Sequence, residues 1–97
     1  MIRHVALFTW TEGMTEAMEQ QFTAELTDFA ATQPGLRAYH VGPDLGINEG
    51  SLDFAVVADF DDVGSYVAYR DNAGHQDIIR RLSRPNTKSR AAVQYEI

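Results

Sequence analysis

The chain has 97 residues, of which 44% are apolar, with no cysteine and a formal charge of −6. That length holds one domain around one core, and residues 1–97 read as that single domain. The missing cysteine excludes a disulfide framework and thiolate chemistry, the acidic balance argues against nucleic acid as a partner, and no apolar run is long enough for a membrane span.

Met1-Ile2-Arg3-His4 enters an alternating pattern at once, without a signal-peptide core or a small-residue cleavage site, so a cytoplasmic location is expected. The one basic cluster is Arg80, Arg81, Arg84, Lys88 and Arg90. It reads as a solvated helix end and loop, although it has the chemistry to hold a phosphate or carboxylate.

Residues 2–11 alternate, with Ile2, His4, Ala6, Phe8 and Trp10 on one face and Arg3, Val5, Leu7 and Thr9 on the other. Period two with β-branched and aromatic residues predicts a strand. Residues 15–32 predict a helix. Thr15 serves as N-cap, and Met14, Met18, Phe22, Leu26 and Phe29 form one apolar stripe. Gln33-Pro34-Gly35 stops it.

A second strand is expected over 36–42, with Leu36, Ala38 and His40 on one face and Arg37, Tyr39 and Val41 on the other. A turn-rich loop leads to a third strand over 52–60. Asp61 or Asp62 caps a helix reaching about Arg70, and a short third helix is expected from His75 to Leu82. The last strand spans 90–97, with Ala91, Val93, Tyr95 and Ile97 against Ala92, Gln94 and Glu96.

This order predicts an α+β fold of the ferredoxin-like kind: a four-stranded antiparallel sheet with helices on one face. Phe8, Trp10, Leu36, Phe54, Val56, Phe60, Val93 and Tyr95 are expected to meet the helices. The other face, with Val5, Leu7, Tyr39, Val41, Ala55, Val57 and Ala92, is too apolar to leave in water. A homodimer is therefore expected, with Val5, Leu7, Val41, Ala55 and Val57 covered by the partner.

Three stretches carry a family resemblance: Ile2–Phe8 with its early histidine, the strand Leu52–Phe60 running into Asp61-Asp62, and Tyr66–His75, in which Tyr69 precedes His75 by six residues. Their order and spacing resemble the stress-responsive dimeric α/β-barrel family over nearly the whole chain. That family more often has histidine-proline where Asn72-Ala73 stands here. The resemblance implies a dimeric barrel. It also points to members of the olivetolic acid cyclase kind, which close a linear polyketide by aldol condensation without metal or cofactor. By that resemblance Tyr69 matches a catalytic tyrosine, His75 a catalytic base and His4 a further pocket histidine. Phe54 replaces another histidine, which makes the pocket more apolar.

The residues themselves allow such chemistry. A neutral imidazole at His75 can take a proton from a carbon acid, and Tyr69 can donate to an oxygen on which charge develops. The plainer alternative for His75 is packing in the turn between two helices. His4 reads first as a hydrogen-bonded core residue, with a His4–His40 pair allowed by parity. His4, Phe8, Trp10, Phe22, Phe54 and Tyr66 are the expected pocket residues, with Phe29 beside them, and the alternative for the aromatic ones is a filled core. No metal site is expected, for want of ligand spacing. Two functions remain open: a cofactor-independent cyclase or lyase acting on a polyketide-like or other carbonyl compound, and a non-catalytic stress-responsive dimer binding a small apolar molecule.

Overall fold

In the computed structural model, which describes residues 1–97, four strands form one antiparallel sheet in the order β2-β3-β1-β4. The chain runs β1 (Ile2–Trp10), α1 (Glu16–Ala30), β2 (Leu36–Pro43), β3 (Phe54–Phe60), α2 (Val63–Asp71), α3 (Ala73–Ile78) and β4 (Thr87–Glu96). This is the ferredoxin-like arrangement, with the helices on one sheet face.

Side-chain caps set the helix starts by satisfying orphan backbone N–H groups. Thr15 Oγ1 accepts from Met18 N at 3.1 Å, Asp62 Oδ1 from Ser65 N at 2.8 Å, and Asn72 Oδ1 from Gly74 N at 2.8 Å. The last of these starts α3 two residues before His75. The expected helix to Leu82 instead ends at Ile78 and widens into a π turn, Ile79–Ser83, followed by a 3-10 turn, Arg84–Asn86. Between α1 and β2, Gly35 turns the chain at a φ of 78°, a left-handed conformation that disfavours side chains.

β1 and β3 alternate as expected. Ala6, Phe8, Phe54, Val56, Ala58 and Phe60 are buried under the helices, with Phe22 and Leu26 of α1 packed on them. Each fully buried phenylalanine stabilises the fold by about 1.5–3 kcal/mol through apolar burial. β3 begins at Phe54 rather than at 52; just before it, Asp53 Oδ2 accepts from Trp10 N at 2.7 Å.

The edge strands depart from expectation. In β2 the register slips between Leu36 and Ala38, so Leu36 pairs with Phe60 but Tyr39 with Ala58 and Val41 with Val56. One extra residue at Arg37 reverses every later side chain. Tyr39 and Val41 therefore pack on the helix-side core, and His40, opposite Val57, faces away. The His4–His40 pair does not form, and Val41 is not on the face expected to meet a partner. In β4, Val93 lies opposite Val5 and Tyr95 opposite Arg3, so both stand on the open face at 53% and 44% exposure. Ala92 and Gln94 take the helix side, opposite Ala6 and His4. The more apolar parity of this strand thus points away from the helices, opposite to what apolar weight alone suggested.

The open face carries Val5, Leu7, Ala55, Val57 and Val93 together with a bidentate Arg3–Asp59 ion pair at 2.7 and 2.8 Å. No helix is long and apolar enough to cross a membrane.

Candidate active site

α1 lies against β2 and sets Phe22 and Leu26 on the β1–β3 core, α2 packs over β1 and β3, and a gap remains between these helices, the irregular turns and β4. The gap is a cavity of about 550 Å³. Its apolar wall includes Ala6, Phe8, Phe22, Leu26, Val56 and Ile79. Its polar wall brings together His4 from β1, Tyr66 and Tyr69 from α2, and His75 from α3, with Gln94 from β4 beside them.

The two histidines are held in opposite tautomers. At His75, Nδ1 lies 3.2 Å from the Arg70 carbonyl oxygen. A carbonyl only accepts, so Nδ1 carries the proton and Nε2 keeps the lone pair. At His4, the Gln94 side-chain N–H donates to Nδ1 at 2.9 Å, which leaves the proton on Nε2. The site thus offers one basic nitrogen and one N–H donor.

Burial disfavours the charged form of both rings. It is the main cause that lowers the His4 pKa to about 4, helped by the positive charge of Arg90 and by His75. Burial likewise lowers His75, the Arg70 carbonyl opposes it in part, and Arg90 lowers it further. Both imidazoles are neutral at pH 7.

The Tyr69 and His75 rings stack at a tilt with centroids 4.3 Å apart, and Phe29 packs 6.0 Å from His75 and 5.9 Å from Tyr69. The Tyr69 hydroxyl meets the Tyr39 hydroxyl at 2.9 Å. Burial pushes Tyr69 well above the ordinary phenol range and Tyr39 up to about 12, so both remain protonated near neutrality. Tyr66 stacks on His4 with centroids 4.9 Å apart.

Of the residues expected at a pocket, His4, Phe8, Phe22, Tyr66, Tyr69 and His75 line this cavity. Trp10 and Phe54 do not: they pack on each other and on Phe8 and Phe22, and Trp10 Nε1–H donates to Glu19 Oε2 at 2.9 Å. Sequence reasoning did not place Gln94, Tyr39 or Arg90 at the site. Each sits on an edge strand whose parity was read the other way or not used; only Gln94, polar among small apolar neighbours, carried a local hint. No set of three histidine, aspartate or glutamate side chains converges as a metal cluster would.

Comparison with known proteins follows the same outline. The family model described as "Stress Responsive A/B Barrel Domain" matches residues 2–97. A dimeric ferredoxin-like protein of unknown function from Thermobifida fusca is 38% identical, superposes with a TM-score of 0.91, and is matched over 99% of this chain and 90% of its own. A hydroxynitrile lyase from Passiflora edulis has the same fold at 15% identity, with a TM-score of 0.84 over 99% of this chain and 92% of its own. Among curated proteins, DNA-directed RNA polymerase III subunit RPC4 of Saccharomyces cerevisiae is 27% identical over 103 aligned residues; the match takes in 99% of this chain but only 24% of that protein's length.

Proposed function

This chain belongs to the stress-responsive A/B barrel domain family, and on that premise we propose that it is a homodimeric, cofactor-independent lyase or cyclase acting on an apolar carbonyl compound. The observation that carries the reading is His75: Nδ1–H is tied to the Arg70 carbonyl at 3.2 Å, burial keeps the ring neutral, and the ring lines the cavity beside Tyr69.

In this reading Nε2 of His75 removes a proton from a carbon next to the substrate carbonyl. Charge then builds on the carbonyl oxygen, where the Tyr69 hydroxyl and the Nε2–H of His4 are the available donors. The carbanion so formed attacks a second carbonyl carbon, whose C=O π pair becomes an alkoxide that takes the proton back from His75 Nε2 as the ring closes; a C–C lysis runs through the same states in reverse. A hydroxynitrile lyase shares the fold, which is in keeping with a lyase reading. A second copy of the chain covers the open sheet face, a reading supported by the likeness to the dimeric Thermobifida fusca protein.

One observation favours a second reading, ligand binding without turnover. Phe29, Tyr69 and His75 stack on one another, an arrangement that also serves packing alone.

Exchange of the α-protons of 2-octanone in heavy water, followed by NMR, separates the two. The enzyme reading expects catalysed exchange that falls about 10²–10⁴-fold in His75→Ala, the usual weight of a positioned base, while fold and dimer persist. The rate rises with pH through a titration below the ordinary histidine range, because only neutral imidazole accepts a proton. Full exchange activity in His75→Ala, with binding of the ketone retained, would overturn the assignment in favour of the binding reading.

A further inference from the structure

The chain has eight lysines and arginines against fourteen acids. Five of the eight are ion-paired: Arg3 with Asp59, Arg37 with Asp61, Arg70 with Asp71, Arg80 with Asp77, and Arg81 with Glu25 and Asp77. The three without a carboxylate partner are Arg84, Lys88 and Arg90. In a protein with a charge of −6, unpaired cations clustered in one short stretch are not explained by a shortage of partners.

Two of the three, Arg84 and Arg90, line the cavity. Arg84 enters from the 3-10 turn and Arg90 from β4, where it stands opposite Phe8 with its guanidinium carbon 5.8 Å from the centre of that ring. No aspartate or glutamate lines the cavity, and its other charged residue, Arg70, is already bound to Asp71. The basic cluster that reads from sequence as a solvated helix end is therefore divided. Arg80 and Arg81 are consumed by surface ion pairs, while Arg84 and Arg90 stand beside an apolar wall with their guanidinium groups unsatisfied by any carboxylate.

We infer that the ligand of this cavity is an apolar molecule with an anionic head, held by Arg90 and Arg84 at the β4 side while its apolar body lies along Phe8, Phe22 and Ile79. The inference rests on the reading of the cavity as a ligand site and adds to it the charge class of the occupant. A guanidinium offers a planar fork of N–H donors that matches carboxylate or phosphate oxygens in pairs, and an amide does not replace those oxygens. The carboxylate and phosphate heads share this chemistry and are told apart by the probes below.

Octanoate, octyl phosphate and octanamide share one apolar tail and differ in the head, and their binding is measured by calorimetry on the wild-type dimer. At least one anion is expected to bind about tenfold or more tighter than the amide, the weight of one hydrogen bond to a charged group; the tighter anion identifies the head. In Arg84→Gln/Arg90→Gln, checked by thermal melting for intact fold, the preference collapses to near unity because the anions lose affinity. Added salt narrows the preference in the wild type, since both guanidinium groups reach solvent. Equal binding of octanoate and octanamide by the wild type overturns this inference and leaves the cavity reading standing, as does an anion preference that survives in the double variant. Failure of all three probes to bind overturns the cavity reading and this inference with it. A His75→Ala protein that keeps the anion preference supports the charge class whatever its turnover, so the two conclusions are tested apart.

Discussion

The hydroxyls of Tyr39 and Tyr69 meet at 2.9 Å, tying β2 to α2 at the edge of the candidate site. One donates and the other accepts, and burial keeps both protonated. Tyr39 reaches this position only because the extra residue at Arg37 turns it to the helix side of the sheet.

Removing one partner leaves the other hydroxyl buried and unsatisfied. Tyr39→Phe is therefore expected to lower stability by about 1–3 kcal/mol. Tyr39→Phe/Tyr69→Phe removes both hydroxyls and should cost less than the two single changes added together. Urea unfolding of the four proteins measures the coupling; strictly additive losses would mean that the bond contributes nothing.

His4 makes stability depend on pH. Its folded pKa is about 4 against an ordinary 6.5, so below pH 6.5 the unfolded chain takes up a proton that the folded chain refuses. Stability is unaffected by this group above pH 6.5, falls as the pH drops, and stops falling on its account near pH 4. His75 is shifted in the same direction and adds to the slope. Melting temperatures recorded across that window should decline in the wild type and decline less steeply in His4→Gln. An unchanged slope in the variant would remove His4 as its source.

Val57 lies near the centre of the open sheet face, opposite Val5. A specific interface there buries more than about 1,000 Å² in total. Val57→Asp sets a charge in that apolar surface and is expected to yield monomer or aggregate, while the wild type sediments as a dimer at micromolar concentration. A wild-type monomer at that concentration would contradict the covered face.

Gly35 and Gly46 have nearly the same backbone, with φ of 78° and 77°, but different surroundings. A Cβ at Gly35 would fall 2.2 Å from Ser65 Oγ, whereas one at Gly46 meets nothing within 4 Å. Gly46→Ala should cost about 1–2 kcal/mol, the torsional penalty of a left-handed residue. Gly35→Ala should cost clearly more, because α2 must also shift. Equal losses in chemical denaturation would show that Ser65 yields freely.

Within the candidate site, the residues legible in the sequence sit on elements with strong local signals. His4 and Phe8 share the alternating face of β1, Phe22 the apolar stripe of α1, and Tyr69 and His75 flank the break at Asp71–Gly74. Trp10 and Phe54 were read as pocket residues because aromatic side chains suit a core and a cavity equally. Their mutual packing with Phe8 and Phe22 makes them core.

Local pattern determined the element order, the Thr15 cap and, to within one residue, the cap of α2, the buried faces of β1 and β3, and the need for something to cover the second sheet face. Those features depend on neighbours within a few residues, where alternation and helical spacing act directly. Only the tertiary structure decided the parity of β2 and β4. Each is an edge strand whose register is set by hydrogen bonds to a distant segment, and in β2 a single bulge at Arg37 shifts everything beyond it. From that parity follow the Tyr39–Tyr69 bond, the Gln94 contact that sets the His4 tautomer, and the place of Arg90 beside the cavity. They are long-range consequences of pairing, and periodicity within one strand carries no information about its partner's register.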